Sequence, residues 1–143
     1  MQIQQLSVFI ENKPGRLADI TEVLANADVD LRAISVADTS DFGILRVIVD
    51  KPKEAVLALR DHGMTVSLTS VLAVGLSDEK GAFSKVIRIL SNSGVDVEYI
   101  YAFVSRDNGK ASVIIRTDKS ARAAEVLTQN GVELLTTEAI ANM

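Results

Sequence analysis

The residues whose types and spacing could bind a small molecule form one short segment, Glu11-Asn12-Lys13-Pro14-Gly15-Arg16-Leu17. Pro14 fixes the backbone φ angle and restricts Lys13 to an extended conformation, and Gly15 lets another group approach the backbone closely. Asn12 supplies both a hydrogen-bond donor and an acceptor. The segment precedes a predicted helix, whose first turn offers unpaired N–H groups and a partial positive charge. This combination predicts a site for a carboxylate group, such as that of an amino acid.

Other kinds of chemistry are poorly represented in the sequence. There is no cysteine, which excludes disulfides, thiolate zinc sites and cysteine nucleophiles. The single histidine, His62, precedes Gly63 at a predicted helix end, where an imidazolium would complement the helix dipole. Nucleophilic catalysis that depends on a histidine therefore has no convincing second partner. We predict no catalytic residue, no metal site and no cofactor.

The elements that must position the loop segment occur twice. When the sequence is shifted by 66 positions, Asp30 aligns with Asp96, and no gap is needed from residue 6 to residue 49. Such a period describes the architecture, and two copies are too few for a solenoid. We predict two similar domains, residues 1–69 and 70–143. Because no flexible tether separates them, their relative orientation should be fixed.

The residue pattern of each repeat predicts the element order βαββαβ. Alternating apolar residues predict the strands, apolar residues at helical spacing predict a helix after the loop, and Pro52 marks the start of the next helix. With right-handed crossovers, this order gives a four-stranded antiparallel sheet with both helices on one face. The predicted fold class is α+β, with two ferredoxin-like modules.

The helix-free face of each sheet is predicted to carry apolar side chains as well. We place Phe9, Ile34 and Val36 on this face in the first repeat, and Ile100 and Ala102 in the second. An exposed apolar patch of this kind is typical of a surface that binds a partner. A homodimer is therefore expected.

Charge and hydropathy exclude two classes of partner. The net charge is −4 and the 15 basic residues are scattered, so the chain lacks the concentrated positive charge that nucleic-acid binding requires. No apolar run approaches the ~20 residues of a membrane-spanning helix, and the sequence starts without the features of a secretory signal. We expect a cytoplasmic protein that binds neither nucleic acid nor membrane.

The segment from Asn12 to Leu17, the stretch Ala27-Asp28-Val29-Asp30-Leu31 that ends the first helix, and the duplicated βαββαβ order together resemble the ACT domain. This domain is a small regulatory module of amino-acid metabolism, and the resemblance covers both repeats. It implies a stand-alone, non-catalytic tandem protein that binds a free amino acid where two modules meet and that associates with a metabolic enzyme. In this family the strand–helix loop of one module faces the start of the second strand of its neighbour.

The family pattern assigns ligand-binding positions to this sequence. The loop matches at Asn12, Pro14, Gly15, Arg16 and Leu17, and the charge of Lys13 adds it to the same set. Asp30 and Asp96 match the position that opens the second strand, where the family often has asparagine. An ionised aspartate only accepts hydrogen bonds, so both residues favour a neutral or cationic amino acid over an acidic one.

The corresponding loop of the second repeat departs from the family pattern. Ser77-Asp78-Glu79-Lys80-Gly81-Ala82-Phe83 keeps the glycine but lacks the proline, and it has two acidic residues against one basic residue. A carboxylate is less favourable at a helix start with this charge. We predict that the first repeat provides the main binding loop. The second repeat either completes the pocket from across the domain boundary or binds in its own way.

Four other interpretations of the sequence compete with an amino-acid-binding module. The loop could be a tight turn before a helix, with no ligand, and the chain could be a ligand-free dimerisation scaffold for a metabolic enzyme. An acylphosphatase-like enzyme would use Arg16, but the residues around it do not form a glycine-rich phosphate loop. An RNA-binding module of the same element order needs aromatic residues on its third strand, and that strand in the second repeat has none.

Overall fold

A computed structural model describes residues 2–11, 13–38, 41–104 and 110–143. Its strands are β1 (Ile3–Glu11), β2 (Leu31–Asp38), β3 (Phe42–Val49), β4 (Val66–Ser77), β5 (Val97–Ala102), β6 (Lys110–Thr117) and β7 (Glu133–Leu134). Its helices are α1 (Arg16–Asn26), α2 (Pro52–Asp61), α3 (Ala82–Asn92), α4 (Ser120–Gln129) and α5 (Thr137–Ala141). The predicted order βαββαβ is present in both repeats, and α5 is an addition.

One antiparallel sheet runs through the molecule in the order β2-β3-β1-β4-β6-β5, and β7 pairs with β4 outside this path. Strand β4 serves both repeats, because residues 66–71 pair with β1 and residues 72–77 pair with β6. We call the repeat that contains β1 module 1 and the repeat that contains β6 module 2. Each has the ferredoxin-like strand order, so the predicted fold class is confirmed. The predicted boundary between residues 69 and 70 falls inside β4.

The ungapped alignment of the two repeats is wrong in the third strand. Leu31 pairs with Val49 across β2 and β3, whereas Val97 pairs with Thr117 across β5 and β6. The repeats are therefore offset by 66 positions from β2 to β5 but by 68 positions from β3 to β6. The two additional residues of module 2 lie between β5 and β6, and not after β6 as the sequence comparison implies.

The helices cover one sheet face in each module and bury a separate apolar cluster there. In module 1 this cluster includes Leu6 of β1 and Leu59 of α2, and in module 2 it includes Leu72 of β4 and Leu127 of α4. All four side chains are fully buried. Burial of each such side chain stabilises the fold by about 1.5–3 kcal/mol.

Two residues predicted for the helix-free face lie on the helix-covered face instead. Ile34 packs against the apolar cluster of module 1 and Ile100 against that of module 2. Strand alternation takes Val36 and Ala102, two positions later, to the same face. Phe9 does alternate with the buried helix-facing residues of β1, and it is 50% exposed.

The helix-free faces of the two modules turn toward each other. An isolated antiparallel bridge joins Ala33 of β2 to Phe103, and the Val104 N–H donates a hydrogen bond to the Arg32 carbonyl at 2.8 Å. The apolar cluster between these faces consists of Ile3, Ala33, Ile48, Val71, Ala73, Ile114, Leu135 and Ile140. Much of the helix-free surface is therefore covered within one chain, and a second chain is not needed to bury it.

A polar seam also joins the two modules. The side-chain amide of Gln5, which is fully buried, donates a hydrogen bond to the Tyr99 hydroxyl at 2.9 Å and accepts one from the Tyr101 hydroxyl at 2.6 Å. The guanidinium of Arg46 lies 3.8 Å from the centre of the Tyr99 ring, a cation–π contact. Burial raises the pKa of Tyr101, so its phenol remains a donor. The seam fixes module 2 against module 1.

Thr117 provides a test of the packing in module 2. Its Oγ1 is buried and has no hydrogen-bond partner among the described residues, and Val49 occupies the equivalent position in module 1. Because an unsatisfied buried hydroxyl costs about 1–3 kcal/mol, Thr117→Val should raise the free energy of unfolding in urea by about 1 kcal/mol. The matched change Val49→Thr should lower it by a similar amount. Unchanged stability of Thr117→Val would show that the hydroxyl has a partner.

Candidate functional site

The loop between β1 and α1 leaves the start of the helix accessible. Gly15 is the N-cap of α1 with φ at 85°, in the left-handed region that glycine tolerates. No side chain among the described residues caps the first turn. The Arg16 N–H donates to the Lys13 carbonyl at 3.3 Å, and the next N–H groups of the turn can bind an external acceptor. The α3 start is built in the same way on Gly81. Asn12, predicted as a ligand residue, lies outside the described residues.

Glu11 neutralises part of the positive charge of this loop. Its carboxylate lies 3.0 Å from Lys13 Nζ and 3.8 Å from the Arg16 guanidinium. The hydrogen bond from Lys13, together with the two positive charges, lowers the pKa of Glu11 below its ordinary value. All three side chains are roughly half exposed or more, so these ion pairs are weak and the cations can turn toward a ligand. Pro14 and Leu17 are exposed beside them.

Asp30 and Asp96 occupy equivalent positions just before β2 and β5. The Asp30 backbone N–H donates to the Asp50 carboxylate at 2.8 Å, and the Asp96 N–H donates to the Asp118 carboxylate at 3.0 Å. These two hydrogen bonds fix the backbone at both positions. They do not engage the carboxylates of Asp30 and Asp96 themselves.

The carboxylates of the two aspartates differ in their partners. Asp30 forms an ion pair with Arg32, whereas Glu98 stands at the position of module 2 that corresponds to Arg32. In the part of the chain that the structure describes, no ion pair involves Asp96. Sequence reasoning did not single out Arg32. The signal that could have found it is this reversal of charge between otherwise equivalent positions.

Arg32 also holds the C-terminal helix against module 1. Its Nε donates to the Ile140 carbonyl at 3.0 Å, and one terminal nitrogen donates to the Ala141 carbonyl at 3.0 Å. The last carbonyl groups of a helix have no partner within the helix, and a cation there also complements the helix dipole. Helix α5 has no counterpart in the repeat, and the sequence analysis did not predict it.

The loop and Asp30 lie at opposite ends of module 1. Glu11 pairs with Phe42 at the start of β3, whereas the Asp30 carbonyl accepts a hydrogen bond from the Asp50 N–H just after β3 ends. The eight residues of β3 span about 26 Å at ~3.3 Å per residue. One amino acid therefore cannot contact both the loop and Asp30 within a single module.

Strand β5 places Asp96 toward the loop end of module 1. Because Phe103, just after β5, bridges Ala33 near the start of β2 in antiparallel fashion, the start of β5 lies toward the end of β2. The contact between Arg46 in the middle of β3 and Tyr99 near the start of β5 agrees with this direction. The predicted site residues that the structure describes thus divide into two groups. The loop residues from Lys13 to Leu17 and Asp96 lie toward one end of module 1, and Asp30 lies at the other end.

A cleft lies beside the strand–helix loop of each module, and it is larger in module 2. The module 1 cleft has a volume of about 180 Å³ and is lined by large side chains that include Phe9, Arg16, His62 and Met64. The module 2 cleft has a volume of about 850 Å³, and the equivalent residues that line it are Gly75, Ala82, Asn130 and Val132. The smaller side chains of module 2 account for the difference.

His62 lies where the sequence places it, at the end of α2. Its Nδ1 donates a hydrogen bond to the Ala58 carbonyl at 2.8 Å, so the ring supports the helix end. Within the described ranges, no group of three or more His, Cys, Asp and Glu side chains could hold a metal ion. Across those ranges too, no helix has the length and apolar character needed to cross a membrane.

Three solved structures are similar to this chain. A protein from Bacteroides thetaiotaomicron is 40% identical, with a TM-score of 0.93 over 100% of this chain and 98% of its own. The ligand-free regulatory subunit of aspartate kinase from Thermus thermophilus has a TM-score of 0.61 at 20% identity, over 88% of this chain and 90% of that chain. The subunit from Thermus flavus gives 0.59 at 19% identity over the same shares. The similarity to these two subunits shows that they share a fold with this chain.

The match that assigns the family extends over the full length of the chain. No curated protein matches the sequence, but the family model described as the ACT domain pair matches residues 1–143. This match agrees with the two ferredoxin-like modules and the shared strand β4. The chain belongs to the ACT domain pair family.

Proposed function

We propose that this chain is a non-catalytic regulatory module that binds a free amino acid between its two modules. Its membership in the ACT domain pair family supports a regulatory role. The observation that carries the placement of the ligand is the antiparallel approach of β5 to β2, which directs Asp96 toward the module 1 loop. The ligand's carboxylate lies at the start of α1, and its amino group at Asp96.

The start of α1 suits the carboxylate for three reasons. The first-turn N–H groups have no capping side chain among the described residues, and the helix dipole adds a partial positive charge there. Apart from its two chain neighbours, no atom of the described residues lies within 4 Å of the place where a Gly15 side chain would begin, so the approach to the backbone is open. Lys13 and Arg16 are exposed on the same loop and are engaged only by Glu11 among the described ion pairs.

Asp96 suits the amino group because it is an acceptor without a cationic partner in the described part of the chain. Hydrogen bonds between an ammonium and a carboxylate are stronger than neutral ones. Asp118 and Glu98 add further negative charge around this position. The proposal therefore favours neutral or cationic amino acids and disfavours aspartate and glutamate.

The proposal includes assembly with another chain in the cytoplasm. Phe9 and Phe42 have their ring centres 5.2 Å apart, and they are 50% and 47% exposed. An exposed aromatic pair of this kind supports a contact surface for a second copy or for a regulated metabolic enzyme. Sedimentation at twice the mass of one chain would support the homodimer, and sedimentation at the single-chain mass would contradict it.

A thermal-shift panel of the twenty common amino acids tests the function. A ligand that binds only the folded protein stabilises it by ~2.7 kcal/mol at a hundredfold excess over Kd, so at least one amino acid should raise the melting temperature. The expected binder is neutral or cationic. Flat melting curves across the panel would favour the ligand-free scaffold. Steady hydrolysis of acetyl phosphate would instead revive the enzymatic interpretation.

Asp96→Ala tests where the amino group binds. Loss of a hydrogen bond to a charged group costs about 1.5–3 kcal/mol, so Kd for the amino acid found in the panel should rise by at least ~tenfold. Gly75→Phe is the control, because it fills the module 2 cleft with the residue type of Phe9. The three atoms nearest to a Cβ at Gly75 belong to the flexible side chain of Glu133, whose Oε2 at 2.9 Å must move aside. If Gly75→Phe abolishes binding and Asp96→Ala does not, the ligand lies in the module 2 cleft.

Asn12→Ala tests the loop. The sequence gives Asn12 both a donor and an acceptor for the ligand, and its loss should weaken binding by ~1–3 kcal/mol, as measured by isothermal titration calorimetry. Asp78→Ala, at the position of the module 2 loop that corresponds to Asn12, is the matched control and should bind normally. Unchanged affinity of Asn12→Ala would contradict the placement of the carboxylate at this loop.

A further inference from the structure

We propose that Arg32 closes the second of two repeat-related ligand positions from within the chain, so that each chain binds one amino acid. This inference rests on the proposed function. It concerns Asp30, which the sequence assigns to the ligand and which the structure places at the other end of module 1. In our interpretation Asp30 is a positioning residue for Arg32, and it is not a ligand contact.

The internal repeat creates two equivalent positions. The first combines the module 1 loop with Asp96 before β5. The second combines the strand–helix loop of module 2, Ser77–Phe83, with Asp30 before β2. The end of β5 lies near the start of β2, because Phe103 bridges Ala33 and the Val104 N–H donates to the Arg32 carbonyl. A symmetrical pair of modules would therefore offer two places for an amino group.

At the second position, Arg32 supplies the positive charge that a ligand would bring. Its guanidinium is in an ion pair with the Asp30 carboxylate, and its side chain is only 11% exposed. The Asp30 side chain is 64% exposed, but a guanidinium cannot lose its proton at ordinary pH, so Arg32 stays charged beside Asp30. An incoming ammonium would meet the Arg32 cation and would gain little from Asp30.

Helix α5 locks Arg32 in this place. The other two nitrogens of the guanidinium donate to the Ile140 and Ala141 carbonyls, and the Ile140 side chain is 2% exposed in the apolar cluster between the modules. A helix of five residues is not stable alone, so Arg32 and α5 depend on each other. Release of Arg32 from Asp30 would cost these contacts as well.

Module 2 lacks this arrangement. Glu98 replaces Arg32, and a carboxylate cannot pair with Asp96. The loop that would serve the closed position, Ser77–Phe83, also lacks the proline and has more acidic than basic residues. The charges of the two loops and the charges at positions 32 and 98 thus favour the same position. Of the two repeat-related positions, they leave open the one formed by the module 1 loop and Asp96.

Equilibrium dialysis against an equimolar mixture of the twenty amino acids, with retained amino acids counted per chain, tests the stoichiometry. We expect one per chain for the wild type and for Asp30→Ala, and clearly fewer for Asp96→Ala at the same concentration, because its affinity is lower. Arg32→Ala should raise the number above one, because it frees the Asp30 carboxylate. Two per chain in the wild type, loss of binding in Asp30→Ala, or no rise in a folded Arg32→Ala would overturn the inference while leaving the proposed function intact. No retention by the wild type would instead contradict the proposed function.

Hydrogen exchange of the C-terminal segment tests the positioning role without any ligand. Asp30→Ala should increase the exchange rate of the α5 amides at least severalfold and leave the amides of β1 and β4 unchanged, and Asp30→Glu should restore slow exchange. Asp96→Ala is the matched control and should leave α5 unchanged. Equal exchange of α5 in the wild type and in Asp30→Ala would show that Asp30 does not position Arg32. This readout also covers the case in which Arg32→Ala does not fold.

Discussion

The sharing of β4 between the two modules is the constraint on which the rest of the structure depends. Residues 66–71 complete the sheet of module 1, and residues 72–77 start that of module 2 without an intervening turn. Because strand side chains alternate, one strand contributes Val66 to the first helix-covered core and Val74 to the second, while Val71 and Ala73 face the cluster between the modules. The strand thus leaves little freedom in how the helix-free faces meet. The Gln5 seam and the bridge between β2 and Phe103 then close the arrangement.

The two modules have the same hydrogen bonds to the backbone at their sheet ends, and they differ in the charged residues near the proposed ligand positions. Asp50 and Asp118 accept from the backbone just before β2 and β5. Lys51 and Lys119 each donate to the carbonyl of the residue after α1 or α3 that has a positive φ, Asp28 or Gly94. These bonds hold the same end of the sheet in each module. The residues without such a task, above all positions 32 and 98, have opposite charges.

The sequence predicts the element order, the fold class and the glycine at each helix start because these depend on local patterns. It misplaces the two additional residues of module 2 for a physical reason. A shift of two residues along a strand preserves the alternation of buried and exposed positions, so Val47-Ile48 aligns in sequence with Val113-Ile114, although the strand pairing makes Ile115-Arg116 the counterparts. Ile34 and Ile100 are assigned to the wrong face for a related reason, since apolar residues occur on both faces of these strands. Only the strand pairing resolves these ambiguities.

The candidate site is predictable in its parts and not in its assembly. Local sequence and the family resemblance predict the loop and the two aspartates, but they do not say which aspartate lies toward which loop, because that depends on the approach of β5 to β2. Arg32 is beyond local reasoning altogether, since its partners Ile140 and Ala141 are more than one hundred positions away in the sequence. Residues that complete a site across a boundary between modules leave no periodic pattern. A difference between aligned repeats is the signal that remains.

The proposed site would use residues of both modules. If a ligand bridges the module 1 loop and Asp96 as proposed, it contacts one module through each end, so its affinity depends on how the modules are placed relative to each other. By linkage, the ligand then stabilises the placement that binds it best. The shared strand and the Gln5 seam restrict the alternatives to small changes, in which buried hydrogen bonds to Tyr99 and Tyr101 would have to break. A site confined to one module could not sense this geometry, which is why a pair of domains, and not a single one, suits a regulator.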